Sequence, residues 1–323
     1  MSSLINIESL KKHYFINAKD YIAAVDDVSF EIAKGETLGL VGESGSGKTT
    51  VGRCLIQLET ITGGKIFLGG QDIEKMNIKD IHKRIQIVFQ DPSSSLNPRF
   101  TVGRTLEEPL IMLTSLSSRD RKNRIRKVID GLHLTESHLE LYSRQLTSSE
   151  QQRVAIARAM VTEPEFIILD EITSHLDSTV VAEILDLLIQ SQEQNGTSYL
   201  FISHDLTAVQ RISHRIAIMY LGHLVEIAPS SILREKQFHP YSRALLSAVL
   251  YADPKQKPKP FVLEGEIPNA INPEDQCLLY NRCPNAGDLC LKAFPPLETI
   301  SIDHQLACYY SEKKNSLKYI NKN

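Results

Sequence analysis

Four residues near the start of the chain have the types and the spacing needed to bind phosphate. The segment TLGLVGESGSGKTT places Gly42, Gly47, Lys48 and Thr49 in the pattern G-x-x-x-x-G-K-[ST], after an apolar run and before a helical pattern. Glycines let the backbone curl so that several N–H groups converge on phosphate oxygens, while the lysine adds a positive charge and the threonine hydroxyl can ligate magnesium. A glycine-rich turn between a strand and a helix would have the same composition. The spacing favours a nucleotide-phosphate site, whose further candidate contacts are Ser44, Gly45 and Thr50.

Two carboxylates and a histidine form a second set of candidate residues. The apolar run FIILDE ends in Asp170 and Glu171, which suits Asp170 to hold magnesium through water and Glu171 to orient or deprotonate an attacking water. The run YLFISHDL ends near His204, which we expect to contact the γ-phosphate. Acidic residues after an apolar run also commonly mark only a strand end, and a histidine there is often structural. Gln90 in IQIVFQDP and Tyr14 in KKHYF carry weaker signals, since each would usually be a solvated or a packing residue.

An α/β core must position these candidates. Over residues 4–250, short apolar runs such as VSFEI, TLGLVG, SYLFISH and RIAIMYLGHLVEI alternate with helical patterns, which predicts an α/β fold. Strand-like runs disappear over residues 91–163, where patterns such as RKNRIRKVIDGL predict an inserted helical subdomain. The segment YADPKQKPKPF, rich in Pro and Lys, predicts a domain break near Ala252. The expected parts are a core of residues 1–252, a C-terminal domain of residues 253–310 and a polar tail of residues 311–323.

Composition and charge disfavour some classes of function. With 323 residues, 42% of them apolar, and a net charge of −3, the chain lacks the basic field of a protein that binds duplex nucleic acid. The start MSSLINIESLKKHYF lacks the basic segment, apolar core and cleavage site of a secretory signal, so we expect a cytosolic protein. No apolar stretch approaches the roughly 18 residues needed to span a bilayer. Any membrane spans would therefore come from another subunit.

Four cysteines near the C-terminus are candidate metal ligands. In a cytosolic protein, clustering of this kind favours a metal over disulfides. Four thiolates would suit zinc or a cubane iron–sulfur cluster, although the spacing matches neither usual zinc modules nor bacterial ferredoxins. Unligated buried thiols are the alternative, and Cys54, in the helix after the phosphate loop, is most simply a core residue. The four clustered cysteines are Cys277, Cys283, Cys290 and Cys308.

Taken in chain order, these motifs resemble the ATP-binding subunit of an ABC transporter. The set comprises Tyr14, the loop of residues 42–49, Gln90, the segment LTSSEQQRVAIARAM, the pair Asp170 and Glu171, the segment SHLD, and His204. The segments FQDPSSSLNPRFTVG, HPYSRALLSAV and GEIP, together with the cysteines, are similar to the oligopeptide/dipeptide importer branch. LKKHYF and GRCLIQLETITGGKIFLGGQDI look more like the second, F-type, of the two ATPase subunits in that branch. The resemblance implies an ABC-type nucleotide-binding domain with a RecA-like core, a β-subdomain and an inserted helical subdomain.

The resemblance implies a role for each matching residue. Tyr14 would stack on the adenine of ATP, Glu171 would be the catalytic carboxylate, and His204 would sense the γ-phosphate. Gln90 would link the state of the nucleotide to the membrane subunits. The residues serving magnesium would be Thr49, Gln90 and Asp170. The clustered cysteines would bind a [4Fe–4S] cluster, with Zn²⁺ as the alternative.

The implied assembly is a peripheral ATPase on the cytoplasmic face of the bacterial inner membrane. Two nucleotide-binding subunits would sandwich two ATP molecules head to tail. They would drive two membrane permease subunits, which an extracytoplasmic solute-binding protein supplies with peptide. A nucleotide-binding regulatory subunit with little hydrolysis is the alternative. A soluble ABC ATPase acting on nucleic acid is disfavoured, because the chain has one cassette, no heptad run and no basic field.

The signature segment departs from the family pattern Leu-Ser-Gly-Gly-Gln. The chain has instead Leu146, Thr147, Ser148, Ser149 and Glu150. Each serine Cβ fills space that glycine would leave for the γ-phosphate. At about 4 to 8 Å and an effective dielectric near 20, the charge of Glu150 would repel phosphate by roughly 2 to 4 kcal/mol, which exceeds the attraction of a helix N-terminus for an anion, about 0.3 to 1 kcal/mol.

The same segment also has the pattern of a capping box. Thr147 and Glu150 stand three residues apart, so each can satisfy a backbone donor of the other and produce a sound helix start whose anion site is lost. In the family, a signature helix completes the ATP site of the partner subunit. We therefore expect an asymmetric heterodimer with a second ATPase subunit that has an intact signature. Ile172 and His175 also depart from the family stretch PTSALD.

Overall fold

The computed structural model describes residues 3–174, 176–236, 238–247, 261–266, 268 and 271–311. Its strands are β1 (Ser3–Phe15), β2 (Tyr21–Ala33), β3 (Thr37–Val41), β4 (Gly63–Leu68), β5 (Gln71–Asp72), β6 (Ile85–Val88), β7 (Phe166–Asp170), β8 (Ser198–Ile202), β9 (Arg215–Tyr220), β10 (His223–Pro229), β11 (Glu298–Ser301) and β12 (His304–Leu306). Its helices are α1 (Lys48–Leu55), α2 (Ile78–Arg84), α3 (Pro92–Ser95), α4 (Val102–Leu113), α5 (Ser118–Asp130), α6 (Ser148–Met160), α7 (Ser178–Asn195), α8 (Leu206–Ile212), α9 (Ser230–Glu235) and α10 (Pro240–Ser247). Short 3₁₀ turns cover Ile73–Lys75, Glu136–Glu140, Ser143–Gln145, Tyr280–Arg282 and Asp288–Leu291. His175, the predicted break near Ala252 and residues 312–323 of the predicted tail lie outside the described residues.

An antiparallel sheet with the strand order β2-β1-β4-β5 forms the N-terminal layer. Buried and more exposed residues tend to alternate along β2, which is the pattern of a sheet that buries one face. Ile7 pairs with Phe30 of β2 and with Ile66 of β4. The apolar face of this layer joins one core cluster with residues of β3, β8 and α1, including Cys54. Cys54 is therefore a core residue, as its place in the sequence predicts.

The larger sheet has the order β11-β12-β10-β9-β3-β8-β7-β6 within the described residues. Strands β6, β7, β8, β3 and β9 run parallel to one another. Every residue of β3, β7 and β8 is buried, as expected for parallel strands that are covered on both faces. Because the carboxyl ends of parallel strands meet at one edge of a sheet, the loops after these strands converge there. This edge receives the phosphate loop, Gln90, the Asp170–Glu171 pair and His204.

Helices α3 to α6 lie between β6 and β7 in the chain, and residues 91–163, all of them described, contain no strand. Thr101 and Ser117 cap the first turns of α4 and α5 by accepting hydrogen bonds from backbone N–H groups. Apolar residues four positions apart on these helices, such as Leu106 and Leu110 on α4, are buried in one cluster with α6. Whether this insertion is a subdomain of its own stays a prediction.

The segment that carries the four clustered cysteines is attached to the larger sheet. Strand β12 pairs with β10, where Glu226 lies opposite Leu306, and β11 pairs with β12. Cys277, Leu279 and Cys290 are buried in the same cluster as residues of α6 and β7. The described part of this segment therefore extends the main core, and its standing as a separate domain stays a prediction. Among the described residues, no helix combines the length and the apolar character needed to cross a membrane.

Candidate functional site

The phosphate loop has the backbone shape that its glycines predict. Gly47 caps α1 with φ = +101°, a conformation that L side chains rarely adopt. A Cβ on Gly47 would lie 2.0 Å from the carbonyl oxygen of Ala24, and one on Gly42 would lie 2.1 Å from that of Met219. Any larger residue at these two positions would push the loop away from β2 and β9. Ser44 and Gly45 are exposed at the tip of the loop, where a nucleotide could reach them.

The ammonium group of Lys48 is held inside the loop. Its Nζ donates hydrogen bonds to the carbonyl oxygens of Gly42 at 2.9 Å and Glu43 at 3.0 Å, and it lies 3.3 Å from Ser46 Oγ. Burial lowers the pKa of Lys48, while the nearby carboxylates of Glu171 and Asp170 oppose this shift. A phosphate oxygen is a stronger partner for an ammonium group than a neutral carbonyl is. The loop therefore presents a buried positive charge that an anionic ligand would stabilise.

Thr49 and Asp170 form a pair of oxygen ligands that fits magnesium. Thr49 Oγ1 donates a hydrogen bond to Asp170 Oδ1 at 3.0 Å, and Asp170 is only 3% exposed. Burial raises the pKa of the Asp170 carboxyl, and the bond from Thr49 opposes that shift. Adjacent hydroxyl and carboxylate oxygens are the hard ligands that Mg²⁺ prefers. When bound there, magnesium would neutralise charge on the phosphate groups.

The carboxylate of Glu171 is contacted by side chains of its own loop and of two other loops. Its Oε2 accepts a hydrogen bond from Gln90 Nε2 at 3.0 Å and lies 3.4 Å from both Ser174 Oγ and His204 Nδ1. Glu171 has φ = +50°, and its N–H donates to the carbonyl oxygen of Ile202 at 2.8 Å. This arrangement fixes the carboxylate beside Asp170 at the carboxyl edge of the sheet. It suits Glu171 to orient or deprotonate a water molecule.

The predicted residues around Glu171 differ in their surroundings. His204 is 64% exposed in its side chain, so it can also contact a ligand from the open edge. Two of the three residues predicted to serve magnesium, Thr49 and Asp170, contact each other. The third, Gln90, instead donates its amide N–H to Glu171. Ser174 is the first residue of the segment SHLD, and no role was predicted for its hydroxyl. It lies on the turn that follows β7.

Tyr14 lies beside the first turns of α1. Its hydroxyl shares a hydrogen bond with Thr50, and burial raises the pKa of the phenol. The Lys12 ammonium group lies 4.7 Å from the centre of the Tyr14 ring, which is a cation–π distance. Tyr14 and Thr50, both predicted nucleotide contacts, are therefore next to each other and next to the phosphate loop. A ring at this place can stack on a planar base.

The signature segment forms the capping box that its spacing predicts. Thr147 is the N-cap of α6, and its N–H and Oγ1 both donate to Glu150 Oε2, at 2.8 and 2.9 Å. In return, the N–H of Glu150 donates to Thr147 Oγ1 at 3.3 Å, and His138 Nε2 lies 3.3 Å from Glu150 Oε1. Hydrogen bonds from Thr147 hold the pKa of the Glu150 carboxyl below its usual range. An ionised carboxylate therefore occupies the start of this helix, beside the N–H and the hydroxyl of Thr147.

The four clustered cysteines come near one another without forming a recognisable metal site. The N–H of Cys277 donates to the carbonyl oxygen of Cys290 at 2.8 Å. Burial raises the pKa of the Cys277 thiol to about 12, and the charges of Cys290, Cys308 and Cys283 add to that shift. No group of three or more His, Cys, Asp or Glu in the described part of the chain is arranged to hold a metal ion. The arrangement therefore does not support the predicted iron–sulfur cluster or zinc site.

Comparisons with known proteins agree with the geometry of the nucleotide site. Residues 25–174 match the family described as ABC transporter, and residues 225–290 match the oligopeptide/dipeptide transporter C-terminal region. A probable peptide ABC transporter ATP-binding protein of Sinorhizobium fredii is 40% identical over 316 residues, which cover 95% of this chain and 90% of that protein. A putative peptide import ATP-binding protein of Brucella ovis is 39% identical over 308 residues, which cover 94% and 97%.

Solved structures share the fold of the core. A dimeric ATP-binding cassette in a post-hydrolysis state, bound to ADP and Pi, has a TM-score of 0.64 and 27% identity, and the match covers 70% of this chain and 98% of that one. A dimeric bacterial ABC transporter cassette has a TM-score of 0.63 and 28% identity, with the same coverage. The predicted α/β fold of an ABC ATPase is thus confirmed. The chain belongs to the ATP-binding subunits of the oligopeptide/dipeptide branch of ABC transporters, and it is an ABC-type ATPase.

Proposed function

We propose that this chain hydrolyses ATP to energise the import of peptides, such as oligopeptides or dipeptides, or of a related solute. The observation that carries the proposal is the convergence of Lys48, Thr49, Asp170 and Glu171 at one edge of the sheet, with Thr49 and Asp170 in contact. The names of the relatives, which describe peptide transport and peptide import, support the choice of solute. Within this proposal Tyr14 stacks on adenine, Glu171 activates water, and the exposed His204 contacts the γ-phosphate.

The proposed partners follow from the branch to which the chain belongs. The chain works on the cytoplasmic face of the bacterial inner membrane, against two permease subunits that receive peptide from an extracytoplasmic solute-binding protein. Gln90, bound to Glu171, carries the state of the nucleotide to the permeases. A second ATPase subunit completes the complex.

We place this chain in an asymmetric pair with that second subunit. In a head-to-tail sandwich, the signature helix of one subunit completes the ATP site of the other. The ionised Glu150, bound to Thr147, weakens the site that this chain completes in its partner. The site built around Lys48 and Glu171 instead receives the intact signature of the partner, so hydrolysis concentrates there.

Transport by the reconstituted complex tests the proposal. The chain, its second ATPase subunit and the two permeases are placed in vesicles with the solute-binding protein and labelled di- and oligopeptides. We expect uptake that needs MgATP and that stops with Lys48→Ala. ATP turnover that no peptide stimulates, together with uptake of another solute, would overturn the peptide assignment while leaving the ATPase intact.

A nucleotide-binding subunit with little hydrolysis of its own is the second candidate function. The altered signature motivates it, because a complex with one weak site can use nucleotide binding as a signal, although a head-to-tail sandwich puts the site weakened by Glu150 in the partner. In this case, ATP turnover of the complex would not depend on Glu171. The two candidates therefore differ in which carboxylate of the complex is required.

A [4Fe–4S] cluster at the four cysteines, or zinc as the alternative, is a separate proposal that rests on the resemblance alone. Metal and sulfide analysis of the anaerobically purified chain tests it. About four iron and four sulfide per chain, lost on replacing Cys283 by Ser, would support the cluster. Protein without iron or zinc would leave the thiols as packing residues of the core.

A further inference from the structure

We propose that the cysteine-bearing C-terminal segment positions the phosphate loop through Glu43, with Arg282 and Tyr241 as positioning residues for ATP binding. The inference rests on the ATP site of the proposed function and adds to it a control of that site by the C-terminal part of the chain. Glu43 occupies a variable position of the phosphate pattern, directly after Gly42. Its N–H, its carbonyl group and its carboxylate nevertheless all have partners, which lie either elsewhere in the loop or far away in the chain.

Each polar group of Glu43 has a partner. Its N–H donates to the hydroxyl of Tyr241 at 2.8 Å. Its carbonyl oxygen accepts from Lys48 Nζ at 3.0 Å and from the N–H of Ser46 at 3.1 Å. Its carboxylate Oε2 lies 3.4 Å from Nη1 of Arg282. The start of the phosphate loop is thus held from outside by two side chains and from inside by the lysine that meets phosphate.

Tyr241 contacts the phosphate loop from a buried and well-packed position. It lies on α10 and is only 1% exposed, and its ring packs against that of Tyr220 with 4.6 Å between the ring centres. Burial raises the pKa of Tyr241, so the hydroxyl stays neutral at physiological pH. A neutral hydroxyl in a fixed position accepts the hydrogen bond of the partly buried Glu43 N–H, and its removal would take that partner away.

Arg282 brings the cysteine-bearing segment to the same point. Its Nη1 lies 3.2 Å from the Tyr220 hydroxyl as well as 3.4 Å from Glu43, and its side chain is 10% exposed. It closes the short turn Tyr280–Arg282, directly before Cys283. The guanidinium group therefore joins the segment 277–283 to both β9 and the phosphate loop. Movement of this segment would move the partner of Glu43.

The charge of Glu43 explains why this contact affects ATP. Glu43 lies beside the lysine that would meet phosphate, because its own carbonyl oxygen accepts a hydrogen bond from Lys48 Nζ at 3.0 Å. A negative charge at the phosphate loop opposes the binding of a polyphosphate anion. Arg282 supplies the compensating positive charge at 3.4 Å. Without Arg282, the loop would keep the repulsive carboxylate and lose the group that orients it.

Titration calorimetry of MgATP into the full chain tests the inference with charge-matched variants. We expect Arg282→Ala to weaken binding roughly three- to tenfold at ~0.1 M salt, and the defect to shrink at ~0.5 M salt because the effect is electrostatic. Glu43→Gln should tighten binding, since it leaves Arg282 as a free positive charge. The double variant with both changes should return to within about twofold of the wild type. Arg215→Ala, which breaks a partly buried ion pair with Glu36 at the opposite end of β9, is the control and should bind ATP as the wild type does.

Tyr241→Phe gives a second and independent test. It keeps the ring and removes the acceptor for the N–H of Glu43, so ATP binding should weaken at both salt concentrations. Tyr199→Phe removes another buried hydroxyl, which bonds to the carbonyl oxygen of Leu188 at 3.2 Å, and serves as the matched control. Wild-type affinity in both Arg282→Ala and Tyr241→Phe, or a double variant as weak as Arg282→Ala alone, would overturn the inference. A wild-type chain that binds no MgATP would instead overturn the ATP site on which the proposed function depends.

Discussion

The hydroxyl of Thr49 donates a hydrogen bond to the carboxylate of Asp170 over 3.0 Å, although the two residues stand 121 positions apart in the chain. The contact joins the first turn of α1 to the last residue of β7. Asp170 is buried, so its charge needs a hydrogen bond donor or a cation beside it. Thr49 supplies the donor, and the contact holds Thr49 Oγ1 and Asp170 Oδ1 next to the phosphate loop. The pair is therefore the place where the acidic strand and the nucleotide loop act as one site.

Replacing the Thr49 hydroxyl or the Asp170 carboxylate should impair magnesium-dependent ATP turnover. Thr49→Ala removes a ligand, and Asp170→Asn removes the charge of one. The loss of one charged hydrogen bond, about 1.5 to 3 kcal/mol, corresponds to a rate that is roughly 10- to 100-fold lower. Turnover measured against magnesium concentration should also show that more magnesium is required. Thr207→Ala, at an exposed threonine on α8, is the control. An unchanged magnesium requirement in both site variants would contradict the assignment.

Glu171 should be a position where the backbone favours glycine. Its φ of +50° lies in the left-handed region, where a Cβ costs roughly 1 to 2 kcal/mol. Glu171→Ala and Glu171→Gly both remove the carboxylate, so we expect neither to turn over ATP. Glycine has more freedom to lose on folding, and the net advantage of Glu171→Gly over Glu171→Ala should be about 0.5 to 1 kcal/mol in urea unfolding.

A matched pair at another left-handed residue separates backbone strain from function. His133 has φ = +55°, is exposed and lies in the turn after α5. His133→Gly should also be more stable than His133→Ala, with normal ATP turnover in both. Equal stability of the two Glu171 variants would mean that the backbone stores no strain at Glu171.

Glu150→Gln should raise ATP turnover at the site that this chain completes in its partner. Glutamine can fill the same position of a capping box, so α6 should keep its start and its stability within about 0.5 kcal/mol. If salt screening leaves about 1 kcal/mol of the repulsion between carboxylate and phosphate, turnover at that site should rise roughly fivefold. Turnover is measured in the assembled complex with the site of this chain inactivated. Glu136→Gln, in an exposed ion pair with Arg126, should have no effect, and the same result for Glu150→Gln would refute the repulsion.

The stability of the chain should fall in mild acid partly because of His239. Burial lowers the pKa of His239 from 6.5 to about 4, although the Glu226 carboxylate acts in the opposite direction. Between these pH values the unfolded chain binds a proton that the folded chain does not, so this contribution is complete above pH 6.5 and is lost as the pH falls toward 4. The loss should be on the order of 2 to 3 kcal/mol.

His239→Asn isolates this effect. Asparagine can still accept the hydrogen bond that the N–H of Tyr241 donates to His239 Nδ1 at 3.1 Å, and it does not titrate. Urea unfolding of the variant should show a shallower loss of stability between pH 6.5 and 4 than that of the wild type, whatever its stability at pH 7. His133→Asn, at an exposed histidine, should leave the slope as it is. Identical slopes for His239→Asn and the wild type would show that His239 is not the group that titrates.

Local patterns in the sequence predicted the nucleotide site, because each of its parts is a short run at the end of a strand. The glycine spacing placed the loop before a helix, and Asp170 and His204 were expected at the ends of apolar runs. The fold adds that these runs are neighbouring parallel strands, which brings both residues to one edge of the sheet. The side-chain contacts between residues at this edge of the sheet could not be predicted from any local sequence pattern. Gln90 and Ser174 both reach the carboxylate of Glu171, and only the fold decides that their loops meet there.

The C-terminal segment was harder to predict for the same physical reason. Its composition indicated a small separate region, yet β12 pairs with β10 and Arg282 reaches Glu43, which stands 239 residues earlier. Contacts at such separation depend on how the elements pack and leave no periodicity or spacing to detect. The clustering of the cysteines suggested a metal, and the arrangement of their side chains in the described part of the chain does not support one.

ATP turnover of the assembled complex, with Glu171→Gln in this chain compared with the equivalent change in the second ATPase subunit, is the most direct test of the account. The account predicts that Glu171→Gln lowers turnover by at least about 100-fold, since it removes the general base, while the change in the partner has a small effect. This result would assign catalysis to the site of Lys48 and Glu171 and the weak site to the signature that contains Glu150. Turnover that persists with Glu171→Gln and is lost with the change in the partner would contradict it and make this chain a nucleotide-binding regulator.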